Sequence, residues 1–227
     1  MHGLFITGTG TEVGKTHVAA MIARALFTHG SNVGVYKPVA SGCQVGQDGQ
    51  LTCTDATQLW QAAGRPGTLA QVCPQQFVAP LAPPRAAAEE NRQVNSHLLR
   101  QGIEPWRRSS EVVLVEGAGG LLSPLSDEDD NASLAADLDL PLLVVVANEL
   151  GAINGARQTI LAARTLLPQL SLAGIVLNQV TPRPDDTSCA SNQTEIARWC
   201  KTPIIATVNF GIATFAAEID WLALCRI

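Results

Sequence analysis

Apolar positions in this chain gather into short unbroken runs, at 4–7, 112–115, 142–147, 173–177 and 204–207, rich in valine, isoleucine and leucine. An alternating pattern marks a strand with one wet face, whereas an unbroken run marks a strand covered on both faces. A further β-type run lies at 32–36. Between these runs, apolar residues recur at helical spacing. That spacing predicts helices over 16–29, 55–63, 89–108, 132–138, 152–167, 193–201 and 215–224. The stretch 44–54 is polar and contains glycine, and 74–84 is proline-rich, so both read as loops. Strands alternating with helices predict an α/β fold with a mostly parallel sheet and helices on both faces, its ligands held beyond the carboxyl ends of the strands. The 227 residues show no internal repeat and read as one domain, 1–227.

Chemistry enters at the end of the first run. Gly8-Thr9-Gly10-Thr11-Glu12-Val13-Gly14-Lys15-Thr16 joins a strand to a helix. In such a loop glycines turn backbone N–H groups inward around an anion, and the helix start adds partial positive charge. Lys15 then reaches the β- and γ-phosphates, and the Thr16 hydroxyl is placed for Mg²⁺. The match is a variant of the common phosphate loop, because Thr9 stands six positions before Lys15 and the glycine lies one residue earlier, at Gly8. The order strand, Gly-Lys-Thr, helix predicts binding of a nucleoside triphosphate.

Composition narrows the classes. The chain is 46% hydrophobic and 15% charged, with a net charge of −5, and Arg107-Arg108 is its longest basic run, which argues against nucleic-acid binding. No apolar run reaches the ~18 residues of a membrane span, and the short step from Met1 to a core strand leaves no room for a signal peptide. A cytoplasmic location is expected. The six cysteines, Cys43, Cys53, Cys73, Cys189, Cys200 and Cys225, have no paired spacing and read as free thiols. The sequons at Asn131 and Asn192 are discounted for that compartment, and the four histidines fit no metal or triad spacing.

Lysine is scarce: Lys15, Lys37 and Lys201 stand against twelve arginines. Two of the three lie in candidate motifs, where a compact charge on a flexible stem suits a phosphate or a developing anion. Lys37 ends the second strand and opens Lys37-Pro38-Val39-Ala40-Ser41-Gly42. Glu116 ends a fully apolar run, where phosphate-loop enzymes place an acid for Mg²⁺, and the turn Glu116-Gly117-Ala118-Gly119-Gly120 lets backbone approach a ligand. Asp55, at the start of a helix, is the second acidic candidate, with a simple N-cap as its plain alternative. The run Asp127-Glu128-Asp129-Asp130 reads as a solvated loop.

The phosphate loop, Tyr36-Lys37-Pro38-Val39-Ala40-Ser41-Gly42, Val115 with the 116–120 turn, Gly151-Ala152-Ile153-Asn154 and Asn178 together resemble the dethiobiotin synthetase family, in order, over about 4–180. The resemblance implies a Mg²⁺- and ATP-dependent ring closure in which 7,8-diaminopelargonic acid and CO2 become dethiobiotin, with ADP and phosphate released. It implies ATP at Gly10, Thr11, Glu12, Val13, Gly14, Lys15, Thr16, Glu116, Asn178, Asn209 and Phe210, and the diamine at Thr11, Lys37, Ser41, Gly119 and Asn154. Lys15 and Lys37 are the expected catalytic pair, and Thr16, Asp55 and Glu116 the expected metal ligands. Asn154 is expected to act across a homodimer interface. The chain departs from the family pattern at Gly10, at Arg85 and at Asn209-Phe210. A related class, nucleotide-driven switch or partitioning ATPases, usually carries a second lysine at the position of Gly10. A related amidoligase would bring a glutamine-hydrolysing domain, which this chain lacks.

Overall fold

The computed structural model describes residues 2–46 and 49–226, so Gln47 and Asp48 of the expected 44–54 loop lie outside the described residues. In its first half the chain runs through β1 (His2–Gly8), α1 (Lys15–Thr28), β2 (Val33–Tyr36), β3 (Gln44–Val45), β4 (Leu51–Thr52), α2 (Thr54–Ala62), α3 (Leu69–Val72), α4 (Pro83–Glu89), α5 (Ser96–Gln101) and α6 (Glu104–Ser109). The second half follows as β5 (Val112–Glu116), α7 (Asn131–Leu138), β6 (Leu142–Ala147), α8 (Ala152–Leu166), β7 (Leu172–Asn178), α9 (Ser188–Cys200), β8 (Ile204–Val208) and α10 (Trp221–Leu224).

Six strands form one sheet in the order β2-β5-β1-β6-β7-β8, and every pairing in it is parallel. The unbroken apolar runs are its inner strands: β5 is buried along its whole length, and Leu4, Phe5 and Ile6 of β1 are fully buried. Each such side chain contributes on the order of 2 kcal/mol relative to exposure. Register places the chemistry. Ile6 lies opposite Glu116 and Gly8 opposite Val145, so the phosphate loop leaves β1 beside the carboxyl end of β5.

Four expectations about elements are revised. The helix expected over 89–108 is two helices, α5 and α6, following the end of α4 at Glu89, because Asn91 turns left-handed at φ 53°, Asn95 caps α5 through its side chain, and Pro105 opens α6. Helix α4 begins earlier, at Pro83, where proline suits a first turn. The 44–54 stretch carries a short antiparallel ladder, β3 with β4. The C-terminal helix is confined to α10. Its cap, Asp220, accepts from Ala223 N, while Phe215 lies outside the helix and stacks on Trp221 at 4.8 Å between ring centroids.

Candidate active site

Between β1 and α1 the chain takes left-handed conformations at Glu12 (φ 60°) and Gly14 (φ 83°). A Cβ at Gly14 would stand 2.0 Å from Asn178 Nδ2, so both conformation and space demand glycine there. Gly14 is also the N-cap of α1 and makes no side-chain capping bond, which leaves the first amides of α1 facing the loop for an anion. Asn178, buried at the end of β7, donates from Nδ2 to Val13 O at 3.0 Å and so anchors the loop from below. Lys15 bends back so that its Nζ donates to Gly10 O at 2.8 Å. Burial first, and the charge of Lys37 next, pull its ammonium down to about 8.

Glu116 sits at the end of β5 with 1% of its surface exposed. Its Oε1 accepts from Thr16 Oγ1 at 2.8 Å and from Lys37 Nζ. Lys37, itself buried, donates also to Asp55 Oδ2 at 3.0 Å and Gly117 O at 3.4 Å. Burial favours neutral Lys37, but Glu116 and Asp55 outweigh it and hold the ammonium above its ordinary range. Burial pushes the half-exposed Asp55 up, but Lys37, with Thr16 and Lys15, outweighs burial and holds it below its usual range. Burial pushes Glu116 up, with Lys37 offsetting part of that.

The second carboxylate oxygen of Glu116, Oε2, is buried and has no hydrogen-bond partner. A buried acceptor left unpaired costs about 1–3 kcal/mol, more when charged, so this atom calls for a donor or a cation. Among the described residues no group of three or more His, Cys, Asp or Glu side chains is arranged to hold a metal alone. Mg²⁺ at phosphates needs fewer: one or two carboxylates, a hydroxyl, waters and phosphate oxygens. Thr16, Asp55 and the free oxygen of Glu116 fit that requirement.

These groups share a cleft of about 480 Å³, lined by Thr11, Glu12, Gly14, Lys15 and Thr16 from the loop and Lys37, Ala40, Ser41, Asp55, Glu116, Ala118, Gly119 and Val180 from the facing segments. The expected Gly10 and Val13 belong to the same loop, with Val13 turned into the core. Asn154, exposed on α8, lines a different hollow with Arg157, Leu161 and Trp199. Asn209 and Phe210 are exposed after β8, on a loop tied to α1 by His17 Nε2 with Ile212 O at 2.8 Å and by Arg24 Nη1 donating to Ala213 O at 3.2 Å. Arg85 pairs with Glu89 on the surface of α4.

Sequence reasoning missed Asn131, dismissed with its sequon. It is fully buried; its Nδ2 donates to Ala118 O and Gly120 O, each at 2.8 Å, and its Oδ1 accepts from Ala118 N at 3.1 Å. It therefore fixes the 116–120 turn. Nothing in the sequence marks an asparagine at a helix start as the support of a loop eleven residues upstream. Nor was the acidic run simply solvated: Asp129 is buried against Arg100 at 2.6 Å, and Asp130 caps α7.

A parallel sheet with a phosphate loop after its central strand, Lys-Thr opening the next helix and an acid ending the adjacent strand defines a P-loop nucleoside-triphosphate enzyme. A family model described as an AAA domain matches residues 2–213. The chain is 42% identical to an ATP-dependent dethiobiotin synthetase of Rhodopirellula baltica, covering 90% of this chain and 83% of that one. It is 43% identical to one of Anaeromyxobacter dehalogenans, with 87% and 85% covered, and 36% identical to one of Escherichia coli O157:H7, with 96% and 90% covered. The chain belongs to the ATP-dependent dethiobiotin synthetase family. Among solved structures it resembles chloroplast FtsY of Physcomitrella patens (TM-score 0.51, 20% identical, 99% of this chain), of which it spans 64%. It also resembles the MinC:MinD cell division protein complex of Aquifex aeolicus (TM-score 0.53, 15% identical, 100% of this chain and 86% of that one). These likenesses are of fold.

Proposed function

We propose that the cleft closes a cyclic urea at the expense of ATP: 7,8-diaminopelargonic acid and CO2 become dethiobiotin, with ADP and phosphate released, in biotin biosynthesis. The observation that carries the assignment of residues is Lys37, a buried ammonium clamped by Glu116 and Asp55 in the same cleft as Lys15 and Thr16. A phosphate loop alone binds a nucleotide, whereas a second permanent cation facing it gives the cleft a place for a second anion.

That anion is the carbamate formed when one amine of the diamine takes up CO2. Lys37, with the Thr11 and Ser41 hydroxyls, orients it toward the γ-phosphorus, and Gly119 lets the backbone approach it. A carbamate oxygen attacks the γ-phosphorus as the bond to ADP breaks. The second amine then attacks the carbamate carbon, phosphate leaves, and the amine protons are released to solvent. Lys15 and the first amides of α1 stabilise charge on the transferring group. Thr16, Asp55 and Glu116 would hold Mg²⁺, which would supply charge neutralisation for the transferring phosphoryl group. Asn178 keeps the loop in its binding shape, and in this reading Asn209 and Phe210 would meet the base. Much of the rate comes from fixing three reactants in one orientation.

The enzyme acts as a cytoplasmic homodimer in this reading. Leu161, 68% exposed, and the half-exposed Trp199 line one hollow with Asn154, a surface suited to a second copy. The uncapped start of α8 at Gly151, with Asn154 next to it, would meet the carboxylate tail of the diamine across that interface. The test is phosphate release from ATP with and without the diamine, with mass detection of the urea. Release that ignores the diamine would refute the assignment.

A further inference from the structure

Three of the six cysteines meet immediately behind Lys37, although 43, 53 and 73 lie far apart in sequence. Segments 40–43 and 72–77 run side by side: Ala40 bridges Gln76, Ala40 N donates to Gln75 O at 2.9 Å, Cys43 N donates to Phe77 O at 3.0 Å, and Lys37 N donates to Val72 O at 2.7 Å. Cys53 caps α2, its Sγ accepting from Ala56 N at 3.4 Å. Antiparallel register sets Cys43 opposite Cys53, one step beyond the Gln44–Thr52 pair of the β3–β4 ladder, and Cys73 follows Val72, whose carbonyl accepts from Lys37 N. All three are buried: Cys43 at 4% exposed, Cys53 at 6% and Cys73 at 1%. Cys43 follows the segment that bears Lys37 and Ser41, and Cys53 precedes Asp55 by two residues. The ring closure uses none of these thiols.

We propose that Cys43 and Cys53 form a peroxide-oxidisable pair whose disulfide switches off the adjoining cleft. The Cys53 sulfur attacks a peroxide oxygen, the O–O bond breaks, and Cys53 becomes a sulfenic acid with loss of one water. The Cys43 sulfur then attacks the Cys53 sulfur, the S–O bond breaks, and a second water leaves. Two S–H bonds and one O–O bond are lost, one S–S bond and two waters are formed, and two electrons pass from the sulfurs to the peroxide. Cys43 and Cys53 are the two more accessible of the three, and they sit on the two segments that supply Ser41 and Asp55. A disulfide holds its sulfurs at about 2.05 Å, well inside non-bonded contact, so forming it draws these segments together by roughly 1 Å or more. A displacement of that size at a reacting centre costs on the order of a hundredfold. The effect on turnover rests on the reading of the cleft given above, whereas the bond itself does not.

The experiment treats the reduced full-length protein with hydrogen peroxide, blocks remaining thiols, and digests it on the amino side of aspartate. Cleavage before Asp48 and Asp55 leaves Cys43, Cys53 and Cys73 on three separate peptides. The expected result is a peptide linked through Cys43 and Cys53, about 2 Da lighter than the sum of its parts. Diamine-dependent phosphate release should fall ten- to a hundredfold and return on addition of dithiothreitol. Cys43→Ser, whose hydroxyl can keep the contact to Ala40 O, should form no link and keep its activity through the same treatment. Cys73→Ser should still form the link. Absence of the link, a link to Cys73 instead, or equal loss of activity in Cys43→Ser would overturn the proposal. If the reduced protein shows no diamine-dependent release, the proposed function fails and the linked peptide alone decides the thiol pair.

Discussion

Thr16 Oγ1 donates to Glu116 Oε1 at 2.8 Å, joining the first turn of α1 to the end of β5 across a hundred residues of sequence. The same carboxylate keeps Oε2 buried and unpartnered. A hydroxyl and a carboxylate held together with one oxygen to spare are prepared for a cation. Glu116→Gln keeps size and polarity but removes the charge. Its half-saturating Mg²⁺ concentration should rise about tenfold or more in a protein that still folds. Equal half-saturation in variant and parent would make Glu116 a structural partner of Lys37 only.

Lys15 is the loop's cation, and its Nζ now rests on Gly10 O, from which it can swing to a phosphate. Lys15→Ala removes a charged donor from the transferring group, a loss of ~3 kcal/mol or more, roughly a hundredfold or greater in kcat. Single-turnover measurement at saturating ATP checks it. Turnover within about tenfold of the parent would contradict the role.

Gly14 offers a test of the loop that needs no assumption about the reaction. With φ at 83° and Asn178 Nδ2 in the way of any Cβ, Gly14→Ala must push the asparagine aside or flatten the loop. Left-handed strain costs on the order of 1–3 kcal/mol, and the anchor to Val13 O is lost with it. Nucleotide affinity by calorimetry should fall at least about tenfold. Affinity equal to the parent's would show that the loop does not depend on this anchor.

Acid stability is tied to Asp129. Burial pushes its carboxyl up, but donors from Arg100, Ser126 and Ser96 outweigh burial and hold it at about 2. A carboxyl depressed on folding stabilises the protein above its unfolded value of about 3.9, and that contribution disappears as pH falls through the folded value. Asp129→Asn should therefore cost about 1–2 kcal/mol near pH 6, with the deficit shrinking between about pH 4 and pH 2. Denaturant midpoints measured along that range test it. A deficit that stays constant would assign the loss to packing.

The parts legible in the sequence are those with a local cause. Unbroken apolar runs such as 142–147 became buried strands because a sheet covered on both faces admits no polar alternation, and β6 has those bounds. The phosphate loop was legible because its conformational demands fall on neighbouring residues. The Lys37–Glu116 contact was not legible as a contact, since it depends on β2 and β5 pairing in register, with Tyr36 opposite Val115. Asn131 and the meeting of Cys43, Cys53 and Cys73 were missed for the same reason: each depends on segments that only the folded chain brings together. The helix expected over 89–108 failed on local signals that were present but overruled, a left-handed Asn91 and Pro105 inside an apparent helical period.

The central claim is that Lys37 serves the second anion and not the nucleotide, and Lys37→Gln tests it most directly. Removing a charge-assisted contact in a site partly closed to water costs on the order of 1.5–3 kcal/mol, about ten- to a hundredfold. The account predicts that calorimetric affinity for ATP with Mg²⁺ stays within about threefold of the parent, while diamine-dependent phosphate release on the same preparation falls by that ten- to hundredfold margin. Loss of ATP binding with unchanged use of the diamine would contradict it.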